Sequence, residues 1–295
     1  MSAVIAGLDE IVLPIEVTSD GTGPSFLMCP PHLYDVDYVI NPWMAGNVHA
    51  ASRDRAAEQW QELYEAVSRV AEVRLVEPQP GSPDMVFTAN AGLLHGDEVA
   101  ISSFFHRERQ GEEPHFRDWF RENGYKIVDI ARETPFEGEG DALFSEDGSR
   151  LWVGYGLRTT ESSHQALREA WGIEVWGLEL IDPRFYHLDT CFAPLAGGYA
   201  MYFPEAFSTE ALHLIEGFYP VDKRIVVDEV DAVRFACNAV NVGQTVILNR
   251  ISQDLSDRLE SLGFEVIQVE LSEFLRAGGA AKCLVMKLRS STSAR

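Results

Sequence analysis

The sequence predicts an α/β fold in which five similar modules close into a pseudo-symmetric, propeller-like ring. Three observations predict it. A unit of helix, strand, loop and hairpin recurs five times along the chain. The last hairpin lacks its returning strand and the first strand, Phe26 to Cys29, lacks a partner, so pairing the two closes the ring and leaves no sheet edge exposed. The loop entering each hairpin carries polar, chemically useful residues: Asp84, then Glu137, Glu139 and Asp141, then His187 and Asp189, then Asn238, then Cys283.

The elements follow in order. Residues 1–25 carry Gly, Pro, Ser and Thr without periodicity and read as an irregular lead-in, with a short edge segment at Ile11 to Val17. Residues 26–295 read as one domain. Phe26 to Cys29 is a strand stopped by Pro30-Pro31. Asp54 to Ala71 is a helix capped by Ser52, with Trp60, Leu63, Val67 and Val70 on one face. Strands follow at Val73 to Val76, Met85 to Thr88 and Val99 to Ser102. Helix His115 to Asn123 ends at Gly124 and leads to strand Lys126 to Ile130. A hairpin turns at Asp147-Gly148 between Leu143-Phe144 and Leu151 to Gly154. Helix His164 to Trp171, stopped by Gly172, precedes strand Glu174 to Leu180. The next hairpin turns at Gly197-Gly198 and returns as Tyr199 to Phe203. Helix Ser208 to Phe218 and strand Arg224 to Val227 follow. A hairpin across Gly243 returns as Val246 to Asn249. Helix Ser252 to Leu262, stopped by Gly263, and strand Glu265 to Val269 lead to Ala277 to Lys287. There a glycine pair and small residues run into Cys283, and the alternation Leu284, Met286, Leu288 reads as a strand.

Composition narrows the function. The 295 residues carry 24 Lys and Arg against 46 Asp and Glu, a net charge of −22. Such acidity argues against nucleic acid and anionic membranes as partners, and suits a cationic small-molecule substrate. Four cysteines without metal-type spacing make neither a disulfide framework nor a zinc site. No basic-then-apolar leader and no membrane-length apolar run is present, so a cytoplasmic location is expected. The sequence leaves oligomeric state open, a homo-oligomer included.

In a closed ring the hairpin-entry positions converge on the axis. That brings a thiol, an imidazole and several carboxylates into one acidic pocket. A thiolate attacks an electrophilic carbon, with Cys283 as nucleophile and His187 carrying protons. Carboxylates do not stabilise an oxyanion, but they hold a guanidinium by bidentate hydrogen bonds and leave its carbon open to attack. Cys29, Cys191 and Cys237 read as packing residues, the Tyr and Trp residues as core, and Glu139 as surface charge.

Five segments carry a resemblance: Pro-Asp-Met-Val-Phe-Thr-Ala-Asn-Ala-Gly (83–92), Phe-Glu-Gly-Glu-Gly-Asp (136–141), Phe-Tyr-His-Leu-Asp-Thr-Cys (185–191), Ala-Cys-Asn-Ala-Val-Asn (236–241) and Gly-Gly-Ala-Ala-Lys-Cys (278–283). Together they resemble the guanidine-modifying superfamily of arginine deiminases, dimethylarginine dimethylaminohydrolases and amidinotransferases, which share a five-bladed pentein fold. Leu27 to Pro31 with Tyr38 to Met44 looks most like the arginine dihydrolases, which convert arginine to ornithine, ammonia and carbon dioxide. The resemblance implies that Cys283 is the nucleophile, His187 the general acid and base, and Glu137 a carboxylate that aids proton transfer and grips the guanidinium alongside Asp189. It implies that Asp84 and Asn90 bind substrate, that Arg109 and Arg158 hold an α-carboxylate, and that Asn41 serves a second hydrolysis. It implies no cofactor and no metal. Relatives often carry a further C-terminal domain, whose function is not expected of this chain. The alternatives are release of dimethylamine from dimethylarginine, deimination that stops at citrulline, amidino transfer, or silent arginine binding.

Overall fold

The computed structural model describes residues 23–289, so the expected irregular lead-in and the segment Ile11 to Val17 lie largely or wholly outside the described residues. Five three-stranded sheets are present, and each has one antiparallel and one parallel pairing. The first module holds Ser25–Met28 (β1), Arg53–Ser68 (α1) and Glu72–Leu75 (β2). The second holds Gly92–His95 (β3), Glu98–Ile101 (β4), Glu113–Glu122 (α2) and Lys126–Asp129 (β5). The third holds Ala142–Phe144 (β6), Leu151–Tyr155 (β7), Ser162–Trp171 (α3) and Val175–Glu179 (β8). The fourth holds Phe192–Leu195 (β9), Tyr199–Tyr202 (β10), Thr209–Phe218 (α4) and Arg224–Val226 (β11). After the short helix Glu229–Ala232 (α5), the fifth holds Val240–Val242 (β12), Thr245–Asn249 (β13), Gln253–Ser261 (α6) and Glu265–Val269 (β14). Ser272–Leu275 (α7) and Met286–Arg289 (β15) complete the described residues.

The ring closes as the unmatched ends predict. Strand β15 pairs antiparallel with β1, with Leu27 opposite Met286, and so supplies the first module's missing hairpin strand. In every module the middle strand runs parallel to the strand after the helix, as a crossover connection requires. The helices form for local reasons. Ser52, Ser208 and Ser252 each accept a hydrogen bond from a first-turn N–H, which satisfies a donor the helix cannot. Trp60, Leu63 and Val67 bury one stripe of α1. Gly172 ends α3 at φ 65°, a left-handed cap that a side chain would strain. Among the described residues no helix is long and apolar enough to cross a membrane.

One strand expectation fails. Met85 to Thr88 is not a strand; Pro83–Val86 and Thr88–Ala91 are two successive 3-10 turns, buried on all sides. A short apolar run bounded by Pro does not reveal its period, and here the chain coils inward instead of pairing. Similar turns precede the first strand of the next two modules, at Gly138–Gly140 and Leu188–Thr190. Turn-forming backbone also occupies 233–237 and 281–284, so the last strand starts at Met286 instead of Leu284. These five inward turns pack against one another and set the site.

Their packing is backbone on backbone. Gly138 has φ 60°, and a Cβ there would lie 2.7 Å from the Gly92 carbonyl oxygen and 2.8 Å from that of Ala89. Gly138→Ala combines a disfavoured dihedral with a clash that no side-chain rotation relieves. It should destabilise the protein by about 2 kcal/mol or more in urea unfolding. A loss of under about 0.5 kcal/mol would show that the turns can separate freely.

Candidate active site

Each inward turn delivers one or two buried polar side chains to the ring axis. The second module brings Asp84 and Asn90, the third Glu137 and Asp141, the fourth His187 and Asp189, the fifth Asn238, and the chain's last turn Cys283. All eight are nearly inaccessible to solvent. Burial of this many charged groups demands partners.

Glu137 and His187 form the tightest pair, with Glu137 Oε2 2.6 Å from His187 Nε2. The same oxygen accepts from Arg158 Nη1 at 3.1 Å, and Oε1 accepts the Phe105 N–H at 3.2 Å. Burial pushes the Glu137 carboxyl upward. The Arg158 guanidinium and the histidine bond overcome this and hold it well below the usual carboxylate range. Burial lowers His187 to about 4 against the pull of Glu137, so the resting imidazole is neutral at pH 7 and donates its Nε2–H to the carboxylate.

Cys283 sits between two different partners. Its Sγ lies 3.3 Å from Asp189 Oδ2 and 3.1 Å from Asn238 Nδ2. Burial and then the adjacent Asp189 push the thiol well above its ordinary value, so the resting sulfur is protonated. Burial likewise pushes Asp189 up to about 7, opposed by the Lys282 ammonium. This end of the site holds a carboxylate without a bonded cation, whereas Glu137 has one.

A narrow pocket opens onto Cys283 and His187. At its edge stand Asp84, Asn90, Arg109 and Arg158. Arg109 is clamped by Glu112 at 2.9 and 2.8 Å, by Asn90 Oδ1 at 2.8 Å and by the Asp84 carbonyl at 3.1 Å. Arg158 reaches the Ile40 carbonyl at 2.9 Å and lies over the Tyr186 ring at 4.6 Å. Asp84 Oδ2 accepts from Tyr38 at 2.9 Å, while its buried Oδ1 has no partner. The three remaining cysteines are buried in apolar clusters, as read from the sequence.

Four placements differ from expectation. Glu137 stands behind His187 with both oxygens engaged, and neither it nor Asp189, which contacts the Cys283 sulfur, is among the residues that line the pocket. Asn41 lines the pocket, but its Oδ1 caps the turn Pro42–Met44 and its Nδ2 donates to the Ala277 carbonyl at 2.9 Å. Glu139 is buried instead of solvated, and binds Lys282 Nζ at 2.8 Å and the Lys287 N–H at 2.9 Å. Sequence reasoning missed Tyr186 as a pocket element and Tyr38 as the donor to Asp84, because aromatic residues at strand and loop positions read as core. Tyr186 donates to the Gly278 carbonyl at 2.8 Å and so ties the fourth module to the glycine turn before Cys283. For a metal, the one group among the described residues with three close ligand atoms is Asp35, Asp37 and His49, and none of these lines the pocket.

Known proteins match this arrangement. A family profile described as N,N dimethylarginine dimethylhydrolase, eukaryotic, matches residues 37–290. The chain is 56% identical over 263 residues to the bifunctional arginine dihydrolase/ornithine cyclodeaminase AgrE of Nostoc sp., a match covering 89% of this chain and 37% of AgrE. It therefore spans well under half the length of that bifunctional relative. It is 38% identical over 265 residues to the N(G),N(G)-dimethylarginine dimethylaminohydrolase of Mycobacterium tuberculosis, covering 89% of this chain and 85% of that protein. The substrate-bound crystal structure of the N-terminal domain of ArgZ, an arginine dihydrolase from cyanobacteria, superposes with a TM-score of 0.90 at 53% identity, over 90% of this chain and 98% of that one. With this fold, these turns and these matches, the chain belongs to the N,N-dimethylarginine dimethylhydrolase family, within the guanidine-modifying pentein superfamily.

Proposed function

We propose that the chain hydrolyses the guanidinium group of free arginine twice, giving ornithine, two ammonia and carbon dioxide. The carrying observation is the cysteine end of the pocket, where Cys283 Sγ and the Asp189 carboxylate lie 3.3 Å apart without a bonded cation. A guanidinium set against them supplies the missing charge. It pairs with Asp189, brings its carbon to the sulfur and lowers the thiol's proton affinity at the moment of binding. At the other end Arg109 and Arg158 suit an α-carboxylate, and the unpartnered Asp84 Oδ1 suits an α-ammonium. The similarity to AgrE and to the substrate-bound ArgZ domain supports arginine over its methylated forms.

The chemistry follows from these positions. The Cys283 thiol proton passes to His187 as the S–C bond forms. His187, steadied by Glu137, returns that proton to the departing ammonia. Water deprotonated by His187 then attacks the amidino-thioether, the S–C bond breaks, and citrulline forms. Cys283 then attacks the ureido carbon and the second ammonia leaves; a second water displaces the sulfur, and the resulting carbamate loses its C–N bond to give ornithine and carbon dioxide, so arginine and two waters balance ornithine, two ammonia and carbon dioxide.

The deciding experiment incubates the protein with arginine, and with dimethylarginine in parallel, and quantifies ornithine, citrulline and ammonia. Ornithine with two ammonia per arginine is expected; dimethylamine from dimethylarginine alone would replace this reading with the dimethylaminohydrolase one. Cys283→Ser should abolish turnover while arginine binding, followed by calorimetry, survives. Turnover above about 1% of wild type would exclude the covalent route.

Two further outcomes test the residues. Because Asp189 takes up a proton near pH 7 and loses its charge below it, kcat/KM for arginine should fall about tenfold per pH unit below about 7. A flat profile down to about pH 5 would remove Asp189 as the charge partner. Asn41→Asp loses the N–H that holds Ala277, and the ornithine-to-citrulline ratio should drop. An unchanged ratio would take Asn41 out of the second hydrolysis.

A further inference from the structure

Asn238 is fully buried, and its amide makes three hydrogen bonds around the nucleophile. Its Oδ1 accepts the Cys283 backbone N–H at 3.0 Å. Its Nδ2 donates to Cys283 Sγ at 3.1 Å and to the Asp189 carbonyl at 3.1 Å. The amide's orientation is fixed, because a backbone N–H can only donate and must face the oxygen. The nitrogen is therefore the atom turned to the sulfur. Its backbone carbonyl also accepts the Lys282 N–H at 3.2 Å, so the 237–238 turn and the 281–284 turn are stitched together from both sides.

The sulfur thus has an acceptor on one side, Asp189, and a donor on the other. A thiol uses both. A thiolate has no proton for Asp189 and keeps only the amide. The amide bond strengthens as negative charge develops on sulfur, since a charge-assisted hydrogen bond is about twice as strong as a neutral one. A donor whose bond is stronger in the charged state lowers the barrier to reaching it.

We propose that Asn238 is a catalytic residue of this site, whose side-chain N–H holds and stabilises the Cys283 sulfur whenever it carries charge. This rests on the reading of Cys283 as nucleophile. In the attacking step the thiol proton has left for His187, and the amide faces the sulfur as the S–C bond forms. In the release step the S–C bond breaks, the electron pair returns to sulfur, and the same N–H receives it. The amide also fixes the Cys283 backbone, so position and charge are set by one side chain.

The test reads the sulfur directly. Wild type, Asn238→Ala and Asn238→Asp are alkylated with iodoacetamide, and with 2-chloroacetamidine as a cationic probe, across a pH series. The other charged or titratable groups near the sulfur are Asp189, His187, Tyr186, Lys282 and Glu139, with Asp84, Arg109 and Arg158 at the far end of the pocket, and none of them is altered in either variant. The alkylation midpoint should rise by about one pH unit or more in Asn238→Ala and further in Asn238→Asp, whose carboxylate repels the thiolate. Arginine turnover should fall about 100-fold in kcat with little change in KM. Should Asn238→Asp not fold, Asn238→Ala decides alone. A midpoint unchanged from wild type in Asn238→Ala overturns the proposal, even if turnover falls, because removing a donor that stabilises the thiolate must raise the thiol's midpoint. Alkylation does not depend on which substrate is turned over, so failure of the arginine assay in wild type is a separate result.

Discussion

The structure depends on keeping a carboxylate ionised at the dry centre of the ring. Glu137 is wholly buried, and its charge is held by Arg158 and by the imidazole of His187. Removing a charge from water costs several kcal/mol before any partner is found, and breaking a buried pair strands the survivor at a cost of about 3–5 kcal/mol. Arg158 is itself fixed by the Ile40 carbonyl and the Tyr186 ring. The second, third and fourth modules and the loop after β1 are therefore held in register by one electrostatic junction. Arg109, Glu112 and Asn90 form a second junction beside it.

Against this background the Cys283 end of the pocket is built on the opposite principle. Glu137 has its cation in place, and its proton affinity is low. Asp189 has none bonded, only the Lys282 charge acting at longer range, and its proton affinity is high. Two carboxylates on neighbouring turns are thus driven apart by their surroundings, which is how a site assigns different tasks to like groups. One orients the imidazole. The other waits beside the thiol for a charged ligand. The resting thiol is protonated, so on the proposed reading the chemistry is coupled to arrival of a cation.

Much of this was legible in the residues. The spacing of helices and glycine stops revealed five modules, and the two unmatched ends revealed the closure through β1 and β15. The hairpin-entry loops converge on one pocket, which Cys283, His187 and Asn90 line, while Asp189 reaches it only through its contact with the sulfur. The turns themselves were misread at Met85 to Thr88, because local periodicity cannot separate a buried coil from a buried strand. Asn41 was read only as serving a second hydrolysis. The fold uses its amide to cap one turn and tether another, a role that depends on residues 236 positions away. Glu139 looked like one more charge in an acidic chain until Lys282 was found against it.

By itself the sequence determined the module count, the order of the modules and the acidic character, and it offered the candidate reactive groups, since these follow from periodicity, turn chemistry and residue type. Tertiary structure alone decided which groups share a hydrogen bond: Glu137 with His187 and Arg158, Cys283 with Asp189 and Asn238. The reason is physical. Proton affinities and reactivity vary with contacts of about 3 Å between residues that lie 21 to 94 positions apart. Closing the ring sets those distances, and no local pattern encodes them.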